Sequence, residues 1–122
     1  MTKKVLVVDD AIFMRNMIKD IFAGGGFEVV GEAANGLEAV EKYKELRPDL
    51  TAMDIVMPFK SGIEATREIV KVDPRALVVM CSALGQESLV MEAIEAGARD
   101  FIVTPLKSDD VLSVVKKVLG GA

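Results

Sequence analysis

The chain contains no histidine, a single cysteine and no long apolar run. Without an imidazole it cannot be a His-ligated zinc enzyme, a Ser-His-Asp hydrolase or the source of its own phosphohistidine. The lone Cys81 excludes an internal disulfide, and its place inside an apolar stretch fits a reducing cytoplasm. No stretch approaches the roughly 18 apolar residues of a membrane span. Met1-Thr2-Lys3-Lys4 carries signal-like charge, but the apolar residues behind it stop at Asp9-Asp10, too soon for a secretory core. Surplus positive charge is missing as well. Lys and Arg number 15 against 19 Asp and Glu, for a net charge of −4. The cations are scattered, so nothing advertises nucleic acid binding.

What is present is core material. The 122 residues are 51% hydrophobic, enough for one domain over 1–122 that buries roughly two-thirds of its unfolded surface. There is no internal repeat, low-complexity segment or linker. Short apolar runs alternate instead with segments of helical period.

Met14, Met17, Ile18, Ile21 and Phe22 form one apolar stripe of a first helix, with Arg15, Asn16, Lys19 and Asp20 on the other face. Gly24-Gly25-Gly26 follows a helix rather than a strand and lacks dinucleotide-loop spacing, so it reads as a helix stop. Phe27 to Ala33 is a strand. Asn35 caps a second helix with apolar Leu37, Val40, Tyr43 and Leu46, ended by Pro48. Ser61-Gly62-Ile63-Glu64 fits a capping box for a third, with Ile63, Thr66, Ile69 and Val70 inward. A fourth helix carries Val90, Ala93 and Ile94 to Gly97, and Phe101-Ile102-Val103 is a short strand. Ser108-Asp109-Asp110 opens a last helix with Val111, Val114, Val115 and Val118, its acids suited to the N-terminal dipole. Only Gly120-Gly121-Ala122 follows, so no output domain is expected in this chain.

Five βα units with nearly continuous apolar strands predict an α/β fold, a doubly wound parallel sheet with helices on both faces. In such folds ligands gather outside the carboxyl ends of the strands. Three strands end there on notable residues: Val5-Leu6-Val7-Val8 on Asp9-Asp10, Leu50-Thr51-Ala52-Met53 on Asp54, and Leu77-Val78-Val79-Met80-Cys81 on Ser82. Thr104 and Pro105 follow the fifth. Any one of these could merely start a turn or cap a helix. Three carboxylates on one rim are harder to explain so, because two unit charges ~4 Å apart repel by about 4 kcal/mol at an effective dielectric near 20. The cluster calls for a cation or a raised pKa. An all-oxygen site with few ligands suits Mg²⁺, and a metal-neutralised Asp can act as nucleophile toward phosphorus.

Val5-Leu6-Val7-Val8-Asp9-Asp10, Met53-Asp54-Ile55-Val56-Met57-Pro58, Cys81-Ser82-Ala83 and Asp100-Phe101-Ile102-Val103 resemble a two-component response-regulator receiver domain, most of all the single-domain, thermophile-like chemotaxis type. The likeness runs over nearly all of the chain. It implies a flavodoxin-like three-layer sandwich with five helices and strand order 2-1-3-4-5. It also implies Asp54 as phosphoacceptor, and Mg²⁺ held by Asp9, Asp10, Asp54 and the backbone carbonyl of Val56. Ser82 would be the switch hydroxyl and Phe101 the aromatic whose rotamer reports activation. A histidine kinase would supply the phosphate. The surface of the fourth helix, fifth strand and fifth helix would then change affinity for a target such as the flagellar switch, and a phosphatase would reset it. Such a domain is a phosphoacceptor with at most slow self-dephosphorylation, not an enzyme, and works in the cytoplasm.

One position departs from the family. Receivers carry Lys before the Pro after strand five, usually with a cis peptide bond, and here that residue is Thr104. The Lys pairs with the acceptor and then with its phosphate, and a charge-assisted hydrogen bond is worth about 1.5–3 kcal/mol. Losing it from the phosphorylated state alone weakens the activating bias roughly ten- to a hundredfold. Thr104 therefore leaves a second reading open, a pseudo-receiver that binds partners independently of phosphate. The Phe59-Lys60-Ser61 loop, where the family more often has an acidic or Asn-bearing turn, is a smaller departure affecting loop behaviour or partner contacts. Enzymes on the same fold fit less well. A flavin protein wants a Ser/Thr-rich loop after the first strand, and an Asp-nucleophile phosphatase wants a second Asp where Val56 stands.

Overall fold

Strands and helices alternate strictly because apolar runs of four to six residues are too short for helices and are broken by Gly, Pro, Asp or Asn. The computed structural model describes residues 2–83 and 86–120. Its elements are β1 (Lys4–Val8), α1 (Ile12–Gly24), β2 (Glu28–Ala33), α2 (Gly36–Leu46), β3 (Leu50–Met53), α3 (Gly62–Val72), β4 (Val78–Ser82), α4 (Glu87–Ala96), β5 (Asp100–Val103) and α5 (Ser108–Gly120). All strands are parallel, in the order β2-β1-β3-β4-β5. The expected doubly wound, flavodoxin-like sandwich is what forms.

Alternation along the central strands divides the core. Leu6, Val8, Met53 and Met80 face α2, α3 and α4 through Ala39, Tyr43, Ile63, Ile69 and Ala93. Val5, Val7, Leu50, Ala52, Val79 and Cys81 face α1 and α5 through Ile18, Phe22, Val111 and Val115. Every residue of β3 and β4 is buried, which explains their unbroken apolar character. Register then sets the rim. Val8 lies opposite both Ala33 and Met53, so Asp9 and Asp54 leave neighbouring strands at the same level.

The punctuation acts as its chemistry requires. The Asn35 side chain accepts the Glu38 amide at the start of α2, and Ser61 and Glu64 form a reciprocal capping box on α3. Gly25 caps α1, and Gly26 follows at φ +86, a left-handed conformation that glycine adopts without strain. The Thr104–Pro105 peptide bond is cis.

Some expectations shift. β2 begins at Glu28, and Phe27 instead packs edge-on against Phe22 with ring centroids 5.6 Å apart. Of the apolar residues on α2, Leu37 is exposed, because it lies roughly 60° round the helix from Val40 and 120° from Tyr43. On α4 Ile94 is exposed too, while Ala93 and Ala96 carry the buried side. Arg15 and Lys19 do not simply face water. Both reach the β2 edge at Glu32. Gly120 is the last residue of α5, while Met1, Gly121 and Ala122 lie outside the described residues.

Candidate functional site

At the carboxyl edge of the sheet Asp9, Asp10, Ala11, Met14, Asp54, Cys81, Ser82, Ala83 and Thr104 line a cavity of about 230 Å³. One oxygen from each of Asp9, Asp10 and Asp54 lies within 4.8 Å of the others, and these three form the one such acidic cluster among the described residues. Glu64, Asp109 and Asp110 stand at helix starts instead.

Backbone hydrogen bonds hold the acids in place. The Asp9 amide continues the ladder beyond β1 by donating to the Ala33 carbonyl at 3.1 Å, and the Asp54 amide donates to Val8 at 3.0 Å. The carboxylates are anchored locally. Asp9 Oδ1 accepts the Ala11 amide at 2.9 Å, and Asp54 Oδ1 accepts the Ile55 amide at 2.8 Å. Gly62 closes the other side. Its amide donates to the Ile55 carbonyl at 2.7 Å, and its Cα packs so near the Asp54 carbonyl that a Cβ would stand 1.7 Å from that oxygen. The Thr104 amide donates to the Ser82 carbonyl at 3.0 Å and joins the β5 end to the rim.

Charge and burial act on these groups together. The Asp54 carboxyl is pushed up to about 6, chiefly by burial and then by the Asp9 charge. The Ile55 amide and a hydrogen bond from Ser82 oppose that rise, and Asp10 adds to it. Burial likewise raises Asp9, against the Ala11 amide and the Arg15 charge. Unit negative charges within 4.8 Å of one another repel by at least about 3.5 kcal/mol at an effective dielectric near 20. Three converging hard oxygen donors, with no nitrogen ligand and one carboxyl already destabilised as an anion, fit a hydrated divalent cation such as Mg²⁺. Cys81 lines the cavity, but burial pushes its thiol up to about 12, so it is neither thiolate ligand nor nucleophile near neutrality.

Of the residues singled out in the sequence, Asp9, Asp10, Asp54, Ser82 and Thr104 meet in this cavity. Val56 lies in the loop between β3 and α3 with an exposed side chain. Phe101 is not in the lining. It sits in β5, half-buried against the core cluster of α2, α3 and α4. Sequence reasoning missed Arg15. From the second turn of α1 its Nη1 donates to the Asp9 carbonyl at 2.8 Å and its Nε to Glu32 at 2.8 Å. The signal available was an Arg five residues after the acidic pair, with an acid in the neighbouring strand.

Comparison with known proteins agrees with this architecture. Residues 5–116 match the family model described as the response regulator receiver domain. The chain is 58% identical to the chemotaxis protein CheY of Thermotoga maritima over 97% of this chain and 98% of that one. It is 57% identical to CheY of Bacillus subtilis, over 98% and 99% of the two chains. Among solved structures it is similar to a chain of the CheX–CheY–BeF3–Mg²⁺ complex of Borrelia burgdorferi, with TM-score 0.92 and 42% identity over 95% of this chain and 88% of that one. A phosphate-independent module is not favoured by these likenesses. The chain belongs to the response-regulator receiver family and is a CheY-like, phosphorylation-dependent signalling switch.

Proposed function

We propose that Asp54 is the phosphoacceptor of this switch, working with Mg²⁺ held by Asp9, Asp10, Asp54 and the Val56 carbonyl. The observation that carries the reading is the convergence of three carboxylates within 4.8 Å, with Asp54 pushed up to about 6. An Asp54 carboxylate oxygen attacks the phosphorus of a phosphohistidine on a kinase. The P–N bond breaks, its electron pair returns to the imidazole, and an acyl phosphate forms on Asp54. Bound Mg²⁺ supplies charge neutralisation for the phosphoryl oxygens. The Ile55 amide holds the acceptor in line, Asp9 stays oriented through the Ala11 amide, and Ser82 offers a hydroxyl to the new phosphoryl group. Water later attacks phosphorus and releases phosphate, slowly on this domain alone and faster with a phosphatase partner.

Thr104 gives the phosphoryl group a neutral hydroxyl where the family has an ammonium. A neutral hydrogen bond contributes about 0.5–1.5 kcal/mol against 1.5–3 for a charged one, so the activated state is less strongly favoured. Phe101 follows the Ser82 side of the site, and the α4-β5-α5 face, where Met91, Ile94 and Val103 are exposed, meets the target. The reading carries with it a cytoplasmic location and a histidine kinase as donor. The solved CheX–CheY–BeF3–Mg²⁺ assembly supports Mg²⁺ and a CheX-type partner, and the flagellar switch is the expected target.

The test is intact-mass spectrometry after incubation with a small acyl-phosphate donor and Mg²⁺, with Asp54→Asn in parallel. One phosphoryl group on the parent and none on the variant is the expected result. No gain in a folded parent refutes the assignment.

A further inference from the structure

We propose that Arg15 is a positioning residue for the cation site: its guanidinium clamps the β1–α1 turn to β2 and so sets where Asp9 and Asp10 present their carboxylates. The inference rests on the reading of Asp9, Asp10 and Asp54 as the Mg²⁺-binding set.

Within the turn itself the Ala11 amide donates to Asp9 Oδ1 at 2.9 Å. Helix α1 starts at Ile12 after Ala11, which provides no side-chain cap, and both acids before it line the cavity. The Asp9 carbonyl has left the strand ladder. Arg15 Nη1 supplies its donor at 2.8 Å, while Nε of the same planar group donates to Glu32 Oε1 at 2.8 Å. Glu32 in turn receives Lys19 at 2.8 Å through its other oxygen. Both sides of the Asp9 backbone are therefore tied to β2, the amide directly to the Ala33 carbonyl and the carbonyl through Arg15 to Glu32.

This arrangement differs from an ordinary surface ion pair. The Arg15 side chain is only 14% exposed, and one of its two bonds goes to the backbone of a proposed ligand residue. Charge matters too. An unbalanced cation beside the acids would repel Mg²⁺, and Glu32 balances Arg15 on the side away from the cavity. A lysine ammonium lacks the rigid fork that reaches both acceptors in one plane.

The experiment measures Mg²⁺ dissociation constants by isothermal titration calorimetry without any phosphodonor, for the parent, Arg15→Met and Arg15→Lys. Phosphoryl uptake is followed by mass spectrometry across the same Mg²⁺ range. Arg15→Met keeps most of the stem and loses both bonds, so its dissociation constant should rise about tenfold, the scale of losing an outer-shell partner. Its uptake should return near the parent level at saturating Mg²⁺, with Arg15→Lys intermediate. A residue that only stabilised the fold would lower the melting temperature and leave the dissociation constant of the folded protein unchanged. Arg15→Met within twofold of the parent overturns the proposal. If that variant does not fold, Arg15→Lys decides in the same way. A parent that binds no Mg²⁺ brings down the underlying site reading, an outcome seen in the parent curve alone.

Discussion

Gly62→Ala separates local preference from packing more sharply than any other substitution at this rim. Helix propensity favours Ala over Gly by about 1 kcal/mol in a helix interior, and Gly62 is the first residue of α3. Propensity alone therefore forecasts a neutral or stabilised protein. The structure forecasts the reverse. The new Cβ would stand 1.7 Å from the Asp54 carbonyl oxygen, 2.8 Å from its carbon and 3.0 Å from Met53 Cγ. The first two atoms are backbone and no rotamer change relieves them, so α3 and the end of β3 must part by more than about 1 Å in an otherwise close-packed region. Overpacking of this kind costs about 1–3 kcal/mol, sometimes more, and here also strains the Gly62–Ile55 hydrogen bond. A net loss of about 2 kcal/mol follows, or roughly 8 °C in melting temperature for a domain of this size. The displaced carbonyl belongs to Asp54 itself, and a 1 Å misplacement can cost ~100-fold in rate. Thermal melts and phosphoryl uptake should fall together. Gly24→Ala, with open space around its Cβ, is the control and should melt at or above the parent. If Gly62→Ala matches the parent in both assays, close approach is not what this position requires.

Thr51→Val should stabilise the protein by about 1 kcal/mol, since the Thr51 hydroxyl is fully buried with no hydrogen-bond partner among the described residues; a lower melting temperature would argue against it. The Tyr43 hydroxyl donates to Asp73 at 2.8 Å and holds that carboxyl below its usual value. A lowered acid stabilises the fold above its unfolded pKa and loses that contribution as pH falls below it, so the deficit of Tyr43→Phe should shrink below about pH 4. Equal deficits at pH 7 and pH 3 would contradict the assignment. Asp54 has the opposite sign. Raised to about 6 in the fold against ~3.9 unfolded, it takes up a proton on folding between those values, so in chelator stability should rise by up to about 2–3 kcal/mol as pH falls from 7 to 4. Asp54→Asn should be more stable than the parent at pH 7 and remove most of that slope; parent melts that do not vary with pH would refute the repulsion.

Much of the site was legible because strand registry does simple work. Once Val5–Val8 and Leu50–Met53 are read as neighbouring parallel strands, Asp9 and Asp54 must emerge side by side, and no side-chain detail is needed. Asn35 and the Ser61–Glu64 pair were equally readable, since capping is local chemistry. Features that depend on tertiary reach were not. Periodicity put Arg15 on the polar face of α1 correctly as an angle, but a long side chain can turn back along its helix to a strand edge. The buried sides of α2 and α4 were not readable, because a loose apolar pattern does not say which part of it meets the sheet; Leu37 and Ile94 are exposed, and small Ala39, Ala93 and Ala96 are buried. Gly62 was visible only as part of a capping box. Its approach to the Asp54 carbonyl arises from how α3 docks on β3, a distance no sequence pattern encodes.

Thr104 gives the charge balance of this cavity its particular character. Among the residues lining it there are three carboxylates and not one cationic side chain. A Lys at position 104 would set an ammonium against Asp54 and draw its carboxyl down. With Thr104 there instead, the repulsion from Asp9 and Asp10 is uncompensated within the cavity, and Asp54 stands near 6. Two consequences share this cause. The converging acids carry an electrostatic penalty that no cationic side chain among the described lining residues offsets. Occupation of the site by a divalent cation must relieve that penalty, so ligand binding and stability rise together. On the proposed reading a phosphoryl group would replace one carboxylate charge with a larger one, and the side chains of Ser82 and Thr104 are the hydroxyl-bearing ones among the described residues of the lining. Dependence on the cation should therefore be steeper in this chain than where an ammonium shares the load, and the Arg15 clamp gains importance because the acids have no cationic neighbour inside the cavity to hold them.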